Sequence, residues 1–215
     1  AEKEYKRDVV DYMVREYKAG RTPNPDIMCN KSIKFGVFLK RARKLGADYI
    51  ATGHYVKIEN CKLKIAKDLN KDQSYFLWTL TQEQLKYCLF PIGNLTKPQV
   101  RELAKKYDLP TAEKDESMGV CFIGEFPMVD FLKKYIKPKK GKVITADGKV
   151  IGEHEGVMFY TIGQRHGISF GGGIPYYIVA KDIKKNILMV ADKAREEEFY
   201  KKEVEIKQVN WVSGK

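Results

Sequence analysis

No stretch of this chain holds an unbroken apolar run near the about eighteen residues that cross a bilayer, and its start shows no charged-then-apolar leader. Nothing points to a membrane or to secretion, so a cytoplasmic protein with no membrane partner is expected. Cysteine is sparse. The four present, Cys29, Cys61, Cys88 and Cys121, are too few and too far apart for a disulfide framework, and no CxxC or Cys/His zinc pattern occurs. Mostly free thiols in a reducing compartment follow, and no metal site is expected. There is no internal repeat. Acidic residues are outnumbered, 28 against 40 basic ones, and the excess of +12 divides evenly, +6 over residues 1–125 and +6 over 126–215. No tail carries the charge, so it describes a broad basic surface, suited to a polyanion as well as to plain solubility. With 43% apolar and 12% aromatic residues, 215 residues can bury one sizeable core and a smaller companion.

What is present reads first as α/β. Tyr5, Val9, Tyr12, Met13 and Tyr17 recur at helical spacing over residues 2–18, with Gly20 as a stop. A second helix is predicted over roughly 33–45, with Phe35, Phe38, Leu39, Ala42 and Leu45 inward and Gly46 closing it. Residues 48–52 then read as a short buried strand ending at Gly53 and His54, and helix, loop, strand, glycine is the order of a parallel sheet. Residues 56–58 and 63–65 alternate as a hairpin, Tyr75–Trp78 looks helical, and Thr96 with Gln99 forms a capping box for a helix over 97–107 whose inward face is Val100, Leu103, Ala104 and Tyr107. Met128, Phe131, Leu132 and Tyr135 repeat the helical period. Six lysines between 133 and 142 mark a change of composition and a domain boundary, beyond which two hairpins and a further strand over 204–212 are expected.

The stretch with chemical character is Gly20–Lys31, GRTPNPDIMCNK. Pro23 and Pro25 fix φ and disfavour helix at Thr22 and Asn24, which predicts a stiff loop that presents side chains, with Cys29 just before or within the first turn of the next helix. A helix N-terminus stabilises a thiolate, yet Cys29 also fits a packed structural thiol. Asp26 fits a plain N-cap or a proton-transfer group. Cys121, between Gly119 and Gly124, fits a buried strand position or a reactive one. His54 and Lys71-Asp72-Gln73 fit a satisfied strand end and a solvated turn, or ligand contacts.

Five segments together, 20–55, 71–77 (KDQSYFL), 90–93, 117–125 (SMGVCFIGE) and 160–167 (YTIGQRHG), resemble the tRNA-specific 2-thiouridylase family in order and spacing. The resemblance implies a partial adenine-nucleotide alpha-hydrolase-like, Rossmann-like parallel-sheet domain over 1–130 carrying both catalytic cysteines. A small, mainly β tRNA-binding domain over 131–200 comes next, and 201–215 would open a truncated β-barrel. It implies ATP-dependent 2-thiolation of the wobble uridine of tRNA, with Mg2+ accompanying ATP and a persulfide donor protein, a cysteine desulfurase or sulfur-relay carrier, as partner. By motif, Cys29 resembles the nucleophile, Cys121 the persulfide carrier and Asp26 the acid/base. Asn24, Pro25 and Asp26 would face the target base, Gly53 the nucleotide, and His54, Lys71, Asp72 and Gln73 the tRNA. The family's SGGxDS pyrophosphate loop does not occur in this sequence, so the chain is expected to be a central fragment, inactive alone. Two rival functions are a non-catalytic RNA-binding module and an enzyme of the same ATP-pyrophosphatase fold acting on a small molecule.

Overall fold

The computed structural model describes residues 1–114, 127–165, 175–207 and 209–212, except the side chain of Glu196. Helix α1 covers 2–18 as the successive stretches Glu2–Tyr5, Lys6–Val10 and Asp11–Lys18, the middle one in wide π-type turns. Its apolar period holds: Val9, Met13 and Tyr17 are buried. Helix α2 starts earlier than the sequence predicts. It runs as Pro25–Met28, a π-type stretch Cys29–Phe38, and Leu39–Lys44. Asn24 caps it, and Pro25 occupies the first helical position, where the missing N–H costs nothing and the fixed φ suits the helix. The expected presenting loop therefore ends at Asn24, and Cys29, five residues on, is fully buried.

Two residues of the expected inward face are a second correction: Phe38 closes the π-type stretch, and Leu45 lies past the last helical residue, Lys44. Phe35 and Leu39 are buried as the 3.6 period predicts, but Phe38 and Leu45 are 54% and 88% exposed. Gly46, at φ 88°, still ends the helix.

The chain divides into two compact units. The first comprises Ala1–Val10, Asn24–Glu125 and Lys207–Lys215, and the second Asp11–Pro23 and Phe126–Ile206. In the first unit, strand β1 (Ile50–Ala51) pairs in parallel with β4 (Cys88–Leu89), in register Ile50 with Cys88 and Ala51 with Leu89. Between them lie hairpin β2–β3 (Lys57–Glu59 and Lys62–Lys64), a 3-10 turn Ser74–Leu77 and helix α3 (Gln82–Leu85). Asn60 and Cys61, at φ 49° and 58°, make the left-handed turn that matches strand twist. The core joins Phe35 and Leu39 of α2 to Ile50, Val56, Leu77, Leu80, Leu85, Cys88 and Phe90. A smaller cluster packs Cys29 with Val9 and Ile33. Helix α4 (Lys97–Lys106) keeps its capping box, but none of its residues is buried, and Leu103 and Tyr107 of the expected inward face are 38% and 67% exposed.

In the second unit, Met13, Val14 and Tyr17 of α1 pack on Leu132 of helix α5 (Met128–Lys133), on Ile136 and on Phe159. Beyond α5 lies a four-stranded mixed sheet, in order β6-β5-β8-β7, built from β5 (Gly141–Thr145), β6 (Val150–His154), β7 (Tyr176–Asp182) and β8 (Ile187–Asp192). β5 and β8 are parallel and the other pairs antiparallel. The sheet is open, and no closed barrel forms among the described residues. The strand expected over 204–212 does not form at 204–207 or 209–212. Single bonds replace a ladder: the Asn210 side-chain amide donates to the Trp78 carbonyl (2.7 Å), and that of Gln82 donates to the Val212 carbonyl (2.7 Å).

Candidate functional site

Asn24, Pro25 and Asp26 form the cap and first turn of α2. The Asn24 side-chain oxygen accepts from the Asp26 and Ile27 amides at 3.1 and 3.2 Å. Asn24 is thus the N-cap, and Asp26, which the sequence allowed as the cap, is a first-turn residue whose carboxylate meets the positive end of the helix dipole. Asn followed by Pro ahead of an apolar run is a start signal that reading the prolines as breakers missed. One turn on, Cys29 sits among Val9, Ile33, Tyr5 and Met28 and does not reach solvent.

Asn30, which sequence reasoning passed over, is 2% exposed. Its side-chain amide donates to the Phe76 carbonyl at 3.3 Å, tying the helix of Cys29 to the segment just after Lys71-Asp72-Gln73. Its side-chain oxygen is buried with no hydrogen-bond partner among the described residues.

Gly53 and His54 leave the carboxyl end of β1. His54 is 9% exposed, its Nδ1 lies 3.0 Å from Thr52 Oγ1, and its ring packs at 5.7 Å on Phe35 and edge-on at 6.4 Å to Phe90. Burial, aided by the Lys34 charge, pushes its pKa down to about 4. At neutral pH His54 is therefore an uncharged hydrogen-bonding group, not a cation for phosphate. Nothing stands within 4 Å of where a Gly53 side chain would project. Gly53 also lines a cleft of about 400 Å³, with Ile92 and Val100 among its apolar lining and Lys97, Arg101 and Lys114 as its cations. The combination suits a planar apolar group that carries negative charge.

Lys71, Asp72 and Gln73 are held from within. The Asp72 carboxylate accepts from the Ala66 amide (2.8 Å), the Ser74 amide (3.3 Å) and the Ser74 hydroxyl (2.6 Å). Gln73 pairs with Tyr55, and the Lys71 amide closes a turn on the Asp68 carbonyl at 3.1 Å. The first unit therefore assembles Asn24 to Cys29, Gly53 and His54, and residues 71–73 around α2 and the end of β1. Cys121 and residues 117–125 lie outside the described residues, as do His166 and Gly167. Of the 160–167 segment, residues 160–165 are described, and the Thr161 hydroxyl meets that of Thr22 at 2.9 Å within the second unit.

Residues 1–125 match the family model described as tRNA methyl transferase HUP domain, and 129–192 match the model described as tRNA methyl transferase PRC-barrel domain. The chain belongs to that family. It is 50% identical over 219 aligned residues to tRNA-specific 2-thiouridylase MnmA 2 of Geobacillus kaustophilus, a match covering 100% of this chain and 59% of the relative. It is 51% identical, with the same coverage, to tRNA-specific 2-thiouridylase MnmA of Bacillus cytotoxicus. To the protein of that name from Listeria monocytogenes it is 51% identical over 204 residues, 93% of this chain and 55% of the relative. The chain thus spans less than two thirds of these relatives, all members whose names record sulfur chemistry on tRNA. Among the described residues no helix is long and apolar enough to cross a membrane.

Proposed function

We propose that the protein takes part in ATP-dependent 2-thiolation of the tRNA wobble uridine in the cytoplasm, with residues 1–130 as catalytic domain, 131–200 as tRNA-binding domain and 201–215 opening a third. The observation that carries the reading is the capped first turn of α2, which sets Asp26 one turn before Cys29 in a chain about half identical to proteins named tRNA-specific 2-thiouridylase. Gly53 and the cationic cleft beside it would hold ATP, with Mg2+ on its phosphates.

The chemistry needs two thiols. The C2 carbonyl of uracil is a poor electrophile, so its oxygen attacks the α-phosphorus of ATP and pyrophosphate leaves. The outer sulfur of a Cys121 persulfide, loaded by a cysteine desulfurase or relay carrier, attacks C2, and AMP departs with the original oxygen. The Cys29 thiolate then attacks the Cys121 sulfur, breaking the S–S bond, leaving sulfur on the base and forming a Cys29–Cys121 disulfide that a thiol reductant reopens. In a second version, the Cys29 thiolate attacks the Cys121 sulfur of the persulfide first, forming the disulfide and expelling hydrogen sulfide, which then attacks C2 as AMP departs. Asp26 handles the proton, Asn24 and Pro25 shape the seat of the base, and His54, Lys71, Asp72 and Gln73 border the tRNA. A base in an anticodon loop reaches such a seat without opening a duplex.

The full-length protein, given tRNA, ATP, Mg2+ and a persulfide donor, should release AMP and produce 2-thiouridine, and Cys29→Ala and Cys121→Ala should each abolish the thionucleoside in mass spectra of digested tRNA. The description of the family model favours a second reading, methyl transfer. A methylated base formed without AMP release, and indifferent to both cysteine substitutions, would decide for it.

A further inference from the structure

The 3-10 turn Ser74–Leu77 holds an aromatic pair that none of the roles above uses. Tyr75 and Phe76 stack with ring centroids 4.1 Å apart and planes 35° from parallel, and Tyr75 remains 60% exposed. Phe76 backs the tyrosine ring, so the area left to solvent is available to another flat ring. The backbone beneath is fixed on three sides: Leu77 is fully buried, the Ser74 amide and hydroxyl bond Asp72, and Asn30 donates to the Phe76 carbonyl. An exposed ring on an anchored turn loses little freedom when a ligand stacks on it.

The charge of the stretch that carries it selects the ligand. Residues 24–80 hold eleven lysines and arginines against five aspartates and glutamates. A positive surface with an aromatic platform is the combination that binds single-stranded nucleic acid, in which phosphates are drawn to the cations and unpaired bases stack on the ring. We infer that Tyr75 is a stacking platform for an unpaired RNA base. This deepens the tRNA reading above and rests on it for the identity of the RNA.

The test is binding of an RNA stem-loop whose unpaired loop carries 2-aminopurine, a base whose fluorescence is quenched by stacking. The wild-type protein should bind it and quench it. Tyr75→Phe should do the same, because it keeps the ring. Tyr75→Ala should weaken binding by about 5- to 100-fold and lose the quenching, and Tyr75→Leu, apolar but without a π face, should behave like alanine. Tyr75 is largely solvent-exposed, so all three variants should melt with the parent, and circular dichroism checks this. Unchanged affinity and quenching in Tyr75→Ala overturn the platform, as does a wild-type protein that ignores the stem-loop. Loss of thiolation activity with Tyr75-dependent quenching intact would sink only the sulfur chemistry, whereas thiolated tRNA with quenching independent of Tyr75 would sink only the platform.

Discussion

Gln73 and Tyr55 close a reciprocal pair: the Tyr55 amide donates to the Gln73 side-chain oxygen at 3.0 Å, and the Gln73 amide donates to the Tyr55 carbonyl at 2.8 Å. The pair joins the chain just beyond Gly53 and His54 to the turn that carries Tyr75. Gln73 is thus a structural latch as well as a proposed tRNA contact. Gln73→Ala strands the amide of a residue only 7% exposed and should cost about 1–3 kcal/mol in urea unfolding, whereas Gln73→Glu, which keeps an acceptor oxygen, should recover most of it. Equal stability of the alanine variant and the parent would leave Gln73 a purely external residue.

His54 makes stability depend on pH. Its folded pKa of about 4 lies below the ordinary 6.5, so between those values the unfolded chain binds a proton that the folded chain excludes. The stabilisation is complete above pH 6.5, falls as the pH drops, and is spent near pH 4. A depression of this size corresponds to roughly 3 kcal/mol. His154, also lowered by burial, acts in the same direction. Unfolding free energies at pH 7, 5.5 and 4.5 should decline in the parent and decline much less in His54→Gln. Parallel curves would mean that His54 is protonated without penalty in the fold.

Several features decided by neighbouring residues are legible in the sequence. The burial of Val9, Met13 and Tyr17, the Thr96–Gln99 capping box and both β hairpins of the second unit follow from spacing alone. Signals that depend on partners were weaker. Phe38 and Leu45 are exposed although helical spacing sets them on the inward face, and residues 204–207 and 209–212 form no strand. In the site, motif spacing singled out Gln73, but its pairing with a residue 18 positions away has no local signature. Nor does the burial of Asn30 and Cys29, which comes from α1 and the Ser74–Leu77 turn closing over α2.

Gly93 answers a packing demand. A methyl group there would coincide with the Val56 carbonyl, and Val56 itself is fully buried in the core of the first unit. The Gly93 carbonyl also accepts from the Lys67 amide at 2.9 Å, so the backbone cannot withdraw freely. Gly93→Ala should therefore destabilise by about 1–3 kcal/mol, the usual cost of overpacking. The control is Gly148→Ala, where the added methyl meets nothing within 4 Å and the cost is limited to backbone strain at φ 85°. If thermal melts rank the two variants the other way, the close approach at Val56 relaxes cheaply.

Thiol accessibility tests the burial of Cys29. Cys61, in the β2–β3 turn, is partly exposed, whereas Cys29 and Cys88 are buried. Burial also pushes the Cys88 thiol up to about 11, which leaves almost none of the reactive thiolate at neutral pH. Iodoacetamide labelling and then peptide mapping should find Cys61 modified well ahead of Cys29 and Cys88, with the differences vanishing in urea. A native chain in which Cys29 reacts as fast as Cys61 would contradict its place against Val9 and Ile33. Protection also bears on mechanism, because a thiol that must attack a second sulfur has to leave that apolar cluster or receive its partner inside it. In the full-length protein, tRNA and ATP should therefore change the labelling rate of Cys29 while leaving that of Cys88 as it was.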